Sequence, residues 1–214
     1  MEYLNEQQQV DQLKAWWKEY GLAILAGILL AIIIVFFLRY YHRYEDQKAQ
    51  QASLLYTEMI NGVLSQQAGD AQTAANKLIK DYPRTPYAAI AQLWIGAQAA
   101  SQQNYTLALQ QFDWVIQHGK MSALRQVARI RSAQVYLQQK NPQQALQILS
   151  KTEDNAYIGL VDEVRGDAYL QMNQKDKAWE QYQLALKEIP QPTLTQPLLA
   201  MKLSALPVSV NVSK

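Results

Sequence analysis

The sequence has no cysteine, only two histidines, eight glycines and seven prolines among its 214 residues. Without cysteine, the chain cannot form disulfides, thiolate nucleophiles or cysteine-containing zinc or iron–sulfur sites. Two histidines, His42 and His118, are too few for an all-protein metal site with several histidine ligands. Glycine and proline are scarce, whereas alanine and leucine are abundant and glutamine alone occurs 30 times. This composition favours helix over sheet.

A strong excess of one charge sign is also missing, since 20 Lys and Arg against 18 Asp and Glu give a net charge of +2. A protein that binds nucleic acid through its phosphates usually carries a larger basic excess, so we expect no nucleic-acid partner. The sequence contains no glycine-rich phosphate loop, no zinc-protease motif and no serine-hydrolase motif. We therefore predict a protein that is not an enzyme, with no catalytic residue, no cofactor and no bound metal.

One long hydrophobic run dominates the sequence: residues 21–38, GLAILAGILLAIIIVFFL, contain no charged or strongly polar side chain. As a helix this run would extend ~27 Å, close to the thickness of the hydrocarbon core of a bilayer. Aromatic side chains flank it on both sides, as expected at the two headgroup levels. These flanking residues are Trp16, Trp17, Tyr20, Tyr40, Tyr41 and Tyr44. The run predicts a single transmembrane helix in the lipid bilayer.

A cleaved signal peptide is the main alternative for this segment. Residues 1–20 carry two lysines against four acidic residues, so the basic region of a signal peptide is missing. The apolar run is followed by Arg39-Tyr40-Tyr41-His42 rather than by small residues that a signal peptidase would cleave. We therefore expect an uncleaved signal anchor, preceded by a short amphipathic segment over residues 1–20.

Three small residues within the anchor, Ala23, Gly27 and Ala31, are spaced four apart and so share one helix face. Such a face allows another transmembrane helix to approach closely. Small residues are also simply common in membrane helices, so contact with lipid is an equally good interpretation.

After the anchor, we predict a helical juxtamembrane linker over residues 39–53, a repeat domain over 54–206 and a tail over 207–214. Three segments align on an alanine followed four residues later by a large apolar residue, with the alanines 37 and 33 residues apart. Another small residue precedes each alanine by twelve positions. These pairs of small residues are Gly96 with Ala108, Ala133 with Ala145, and Gly166 with Ala178.

A period near 34 residues with these small and large positions resembles the tetratricopeptide repeat. We expect the paired small residues to face each other where two antiparallel helices cross, and the hairpins to stack into an α-solenoid. The predicted fold class is therefore all-α, with one transmembrane helix followed by a tetratricopeptide-like solenoid. A non-repeating helical bundle is the alternative.

In such a solenoid the first helix of each hairpin lines the inner curve, where partners bind. The predicted partner-binding residues are Leu93, Ala97, Ile130, Gln134, Leu137, Glu163, Asp167 and Leu170. We interpret the arginines at 125, 129 and 131 as a solvated helix surface, with an anionic partner as the minor alternative. We interpret Asp162, Glu163 and Asp167 as carboxylates at the start of a helix.

The N-terminal third carries a more specific resemblance. The run from Glu6 to Gly21 with its Trp16-Trp17-Lys18-Glu19 core, then the anchor, then Arg39-Tyr40-Tyr41, resembles the family of ancillary subunits of the bacterial SecYEG translocon. The resemblance continues through the segment RGDAYL around Asp167 and through Met201-Lys202-Leu203, but not into the tail.

The resemblance implies a non-enzymatic accessory protein of the Sec translocon that passes exported chains to periplasmic chaperones through its repeat domain. The implied partners are the translocon subunits, a membrane-anchored periplasmic foldase of the peptidyl-prolyl isomerase type, and the exported client chains. The alternative is a membrane-tethered scaffold that assembles a different envelope complex.

The resemblance and the charge bias disagree about orientation. Two lysines precede the anchor and three basic residues closely follow it, which slightly favours a cytoplasmic repeat domain: Lys14 and Lys18 against Arg39, Arg43 and Lys48. Long domains cross the membrane largely regardless of such charges. We therefore expect a single-pass protein of the bacterial inner membrane with Met1 in the cytoplasm and residues from about Tyr44 in the periplasm.

Overall fold

The computed structural model describes residues 3–188 and 196–206, and every ordered element within these ranges is helical. No strand occurs in this part of the chain, which confirms the all-α prediction. The helices are α1 (Tyr3–Leu64), α2 (Ala68–Asp81), α3 (Pro86–Ser101), α4 (Tyr105–His118), α5 (Ser122–Gln138), α6 (Pro142–Ile148), α7 (Ile158–Gln171), α8 (Lys175–Glu188) and α9 (Gln196–Ser204), with a 3₁₀ turn at Asn155–Tyr157. The chain divides into two compact units between Gln50 and Gln51.

The first unit consists of the N-terminal part of α1. Within the described residues, one segment, Trp16–Tyr40, is long and apolar enough to cross a membrane. Its large side chains are exposed, with Leu22 83% and Phe36 74% accessible, so no other part of this unit covers them. A Cβ atom at Gly27 would meet nothing within 4 Å. The side chain of Ala23 and the tail 207–214 lie outside the described residues, and the role of the small-residue face stays a prediction.

The second unit is built from helical hairpins packed in chain order. Each helix from α2 to α9 contacts the next one along the chain, and α5 also contacts α3 and α7. Pairs of successive first helices therefore lie side by side, as in a stacked solenoid. The core continues from one hairpin to the next, beginning with Met59 of α1 against Ala74 and Leu78 of α2.

The four turns that close the hairpins have the same backbone conformation. Each contains one non-glycine residue with φ near +60°: Gln66 (59°), Gln103 (62°), Lys140 (61°) and Asn173 (59°). The residue after it donates its N–H to a carbonyl five positions earlier, as in Asn104 to Ala99 at 2.8 Å. This hydrogen bond satisfies a carbonyl in the last turn of the first helix. The position with positive φ is the one that glycine usually occupies at the end of a helix. The side chain of Asn104 then caps α4.

The hairpins cross where the predicted small residues lie, but the contact differs from the expected one. A Cβ atom at Gly96 would lie 2.5 Å from Cε1 of Phe112, and one at Gly166 would lie 2.4 Å from Cε1 of Tyr182. Each glycine therefore faces the aromatic ring four residues beyond the expected alanine. Side chains on a helix lean toward its N-terminus, so a long ring covers the position one turn earlier. The alanines Ala108, Ala133, Ala145 and Ala178 are all fully buried.

Two further features concern the boundaries of the repeat domain. Gly69 and Asp70 lie in the first turn of α2, where Asp70 favours the positive end of the helix. The turn that precedes α2 lies at residues 65–67. At the other end, α9 packs Leu199, fully buried, against Tyr182 and Ala185, and so covers the last hairpin.

Candidate partner-binding site

Three clefts open on helices α3, α5 and α7, and the exposed side chain of Gln134 lines all of them. The first has a volume of about 360 Å³ and lies between α3 and α5; the second and third, of about 440 Å³ each, lie between α5 and α7. The residues of the second cleft are Val127, Ile130, Arg131, Gln134, Tyr157, Leu160, Glu163, Val164, Asp167, Leu198 and Lys202. We call these three clefts the inner surface.

The inner surface includes most of the residues predicted to bind a partner. Ala97 lines the first cleft, Leu137 the third, and Ile130, Gln134, Glu163 and Asp167 the second. Leu93 packs against the core between α3 and α4 and lies outside these clefts. Leu170 is 40% exposed and also lies outside them.

Ile130 is only 6% exposed and belongs to the core cluster with Ala133 and Leu149. Ile130→Glu would bury a charge in the core, so we expect this substitution to destabilise the fold as well as to change the cleft. Partner binding is better tested at exposed positions such as Gln134.

Helix α9 occupies part of the surface that the sequence assigned to a partner. The Nζ atom of Lys202 donates to Oε1 of Glu163 at 2.8 Å and to Oδ1 of Asp167 at 2.7 Å. The hydroxyl of Tyr182 donates to the same Oδ1 at 2.7 Å. Both carboxylates are therefore paired within the chain. This contradicts their interpretation as helix-start carboxylates, since Asp167 lies in the second half of α7.

The electrostatics of this cluster follow from burial and pairing. Burial alone lowers the pKa of Lys202, but its hydrogen bonds to Asp167 and Glu163 outweigh burial and raise the pKa above its ordinary value. Burial and the hydrogen bond to Asp167 raise the pKa of Tyr182. The lysine stays charged and the tyrosine neutral at physiological pH, so the cluster holds α9 against α7 and α8.

A second polar cluster lies at the start of α5 and corrects the interpretation of the arginines. Arg125 and Arg129 donate hydrogen bonds to the carboxylate of Glu153, and the bond from Nη2 of Arg129 to Oε1 of Glu153 measures 2.7 Å. The Nζ atom of Lys151 lies 3.0 Å from the same Oε1. Hydrogen bonds from Arg125, Lys151 and Arg129 lower the pKa of Glu153 to about 2. Two of the three arginines are therefore structural, and they fasten the segment after the short helix α6.

A third carboxylate, Asp162, is also structural. It accepts a hydrogen bond from Arg165 at 2.9 Å, and Arg165 also donates to the carbonyl of Leu149 at 2.7 Å. Burial raises the pKa of Asp162, and the bond to Arg165 offsets this only in part. Within the described residues, no group of three or more metal-ligating side chains comes together.

Several residues that shape the inner surface are not predicted by the repeat pattern of the sequence. Tyr157 and Leu160 line the second cleft, and their part in it depends on where the 3₁₀ turn directs the chain into α7. Leu198 and Lys202 reach the cleft from α9, which is distant in sequence. The repeat period gave no signal for either pair, because both lie outside the aligned positions.

The profile of the tetratricopeptide repeat-like domain family matches residues 14–208. The chain belongs to this family. The match includes the candidate span and every helix from α2 to α9.

Proteins from three bacteria resemble the chain over nearly its whole length, and each carries the name "Ancillary SecYEG translocon subunit". The protein from Neisseria gonorrhoeae is 29% identical over 95% of this chain and 98% of the relative. The Escherichia coli protein is 27% identical over 96% and 98%, and the Haemophilus influenzae protein 26% identical over 95% and 98%. The resemblance to ancillary translocon subunits, which the sequence indicated, is confirmed.

Proposed function

We propose that the protein is a non-enzymatic accessory subunit of the SecYEG translocon, held in the bacterial inner membrane by the segment around residues 21–38. Its repeat domain then binds exported chains on the periplasmic side and passes them to periplasmic chaperones. The observation that carries this proposal is the match to translocon subunits over about 95% of the chain, anchor and repeats together.

The arrangement of the chain supports this role. An exposed apolar segment of 25 residues suits a membrane span, and the residues after it fold into a separate unit with its own core. That unit presents an inner surface of clefts on three parallel first helices, which suits the weak binding of peptide segments. Repeat scaffolds serve many functions, so the fold alone does not select the translocon.

The proposed partners are the translocon subunits, reached through the membrane, and a membrane-anchored periplasmic foldase of the peptidyl-prolyl isomerase type. Gly27 is the residue of the anchor most suited to a helix contact, because it has no side chain to hold a partner helix away and lies on an open part of the helix surface. Lipid then covers the rest of the anchor.

Co-purification in mild detergent tests the translocon assignment. We expect translocon subunits to be recovered in stoichiometric amounts with the native protein and to be lost with Gly27→Leu, which keeps the segment apolar but fills the small-residue face. Ala26→Leu is the matched control, since it makes a similar change about 100° around the helix. Recovery of a different envelope complex would favour the alternative scaffold function and contradict the proposal.

Protease treatment of spheroplasts tests the orientation. We expect external protease to digest the repeat domain while the cytoplasm stays intact. Complete protection that ends only on lysis would place the domain in the cytoplasm and contradict the transfer of exported chains. A cytoplasmic marker protein serves as the control for spheroplast integrity.

A further inference from the structure

Arg131 differs from the other arginines around the inner surface. Its side chain is exposed and lines both the first and the second cleft. Its described contact is a long hydrogen bond of 3.3 Å from Nη1 to Oε1 of Gln134. By contrast, Arg125, Arg129 and Arg165 each bond to a carboxylate. Within the described residues, no carboxylate lies within ion-pair distance of Arg131.

Arg131 is the only charged residue that lines the first cleft within the described part of the chain. In the second cleft, Lys202 pairs with both Glu163 and Asp167, so these three residues together carry one net negative charge. Lys140 lines the third cleft next to Gln134. A partner that approaches from the first cleft therefore meets a guanidinium that forms no ion pair within the described part of the domain.

Apolar side chains lie beside this charge. Val127 and Leu160 line the second cleft together with Arg131, and Leu160 is 36% exposed. The volume of about 440 Å³ is enough for one large apolar side chain. A planar guanidinium next to such a cleft matches a carboxylate beside an apolar group.

We propose that the inner surface around Arg131 binds peptide segments in which an acidic side chain lies next to a large apolar one on the same face. An acidic and an apolar residue that lie two positions apart in an extended segment have this arrangement, because alternate side chains point the same way. The carboxylate then contacts Arg131 and the apolar side chain enters the cleft beside Leu160. This specificity rests on the proposed function only in taking the inner surface as the place where client chains bind.

Direct binding of a peptide to the purified full-length protein in detergent micelles tests this inference. The probe is a fluorescent peptide of twelve residues in which leucine and glutamate alternate with serine. Two matched peptides carry glutamine or lysine in place of glutamate. We expect the glutamate peptide to bind about tenfold more tightly than the glutamine peptide, and the difference to shrink at high salt.

Variants at one position assign the charge recognition. Arg131→Gln should reduce the preference for glutamate over glutamine to about twofold or less, and Arg131→Glu should reverse it in favour of the lysine peptide. Arg84→Glu is the control, because it makes the same charge change at an exposed residue outside the inner surface. It should leave the preference unchanged.

The inference is overturned if the glutamate and glutamine peptides bind equally, if neither binds at millimolar concentration, or if Arg131→Glu keeps the original preference. These outcomes do not depend on the translocon, since the protein is purified away from it. Conversely, loss of co-purification with the translocon would contradict the proposed function while leaving the peptide preference measurable.

Discussion

The hairpins α3–α4 and α7–α8 differ from the hairpin α5–α6 between them. In the outer two, a glycine meets an aromatic ring, Gly96 against Phe112 and Gly166 against Tyr182. In the middle one, the corresponding residues are Ala133 and Leu149, both fully buried. The second helices of the outer hairpins have 14 residues each, whereas α6 has seven.

This difference shows two ways of closing a repeat. The outer hairpins depend on a close helix crossing, where a ring fills the space that the missing Cβ leaves. The middle hairpin has a shorter second helix, and the chain after it is fastened by Glu153 to Arg125 and Arg129 of α5. A glycine–ring contact closes each outer hairpin, with an added hydrogen bond from Tyr182 to Asp167 in α7–α8, and a charged cluster completes the middle one.

The largest expected effect is at the glycine crossings. Gly166→Leu should destabilise the repeat domain by about 3 kcal/mol or more, because the first added carbon already overlaps the ring of Tyr182. Gly96→Leu and Ala108→Leu should act similarly, and the midpoint of urea unfolding measures each effect. Ala97→Leu, at an exposed position of α3, is the control and should change the midpoint little. An unchanged midpoint for Gly166→Leu would contradict the crossing.

The charged cluster of the middle hairpin gives the next effect. Glu153→Gln should cost about 2 kcal/mol, since it removes hydrogen bonds between a carboxylate and nearly buried arginines. Urea unfolding at pH 7 measures this loss. Lys151→Gln, which removes the most exposed partner of the cluster, should cost much less and serves as the comparison.

The same cluster predicts a pH dependence. The pKa of Glu153 is lowered in the folded protein from its ordinary value of 4.5 to about 2, so its stabilising contribution is present above pH 4.5. That contribution should be lost as the pH falls from about 5 toward 2. The stability difference between the native protein and Glu153→Gln should therefore close over this range. A difference that stays constant down to pH 2.5 would place the effect elsewhere.

A double-mutant cycle sharpens the comparison between hairpins. Ala133→Gly alone should cost about 1 kcal/mol of helix stability, and Leu149→Phe alone should overpack the crossing. Together they recreate the glycine–aromatic pair of the outer hairpins, so the double variant should be about 1 kcal/mol more stable than the sum of the single changes. Simple additivity would show that the two types of crossing are not equivalent.

The smallest effect concerns what all hairpins share. Gln103 adopts φ of 62° in the turn between α3 and α4. This left-handed conformation is energetically unfavourable for a residue that carries a side chain. Gln103→Gly should therefore stabilise the domain by about 0.5 kcal/mol, the gain being reduced by the greater freedom of glycine in the unfolded chain. Gln102→Gly, one residue earlier at φ of −86°, should destabilise it instead.

Much of this fold is readable from the sequence, because the information is local or periodic. The length of the apolar run 21–38 is enough to predict a transmembrane helix. The repeat register follows from small residues such as Gly96 and Ala108 at fixed spacing. The candidate site is less readable. The pairing of Asp167 with Lys202 and of Arg129 with Glu153 joins residues 35 and 24 positions apart, and no period relates them. The sequence therefore predicted the first helices of the inner surface but not which of their charges are already paired.

Site-specific photocrosslinking in native membranes tests most directly whether the repeat domain receives exported chains on its inner surface. A crosslinking amino acid replaces Gln134, which is exposed and lines all three clefts, and in a control it replaces Gln143, which is exposed on α6 outside them. We predict adducts with an exported chain arrested in the translocon from position 134 and few or none from position 143. Equal labelling from both positions, or labelling from neither while the protein stays bound to the translocon, would contradict the account.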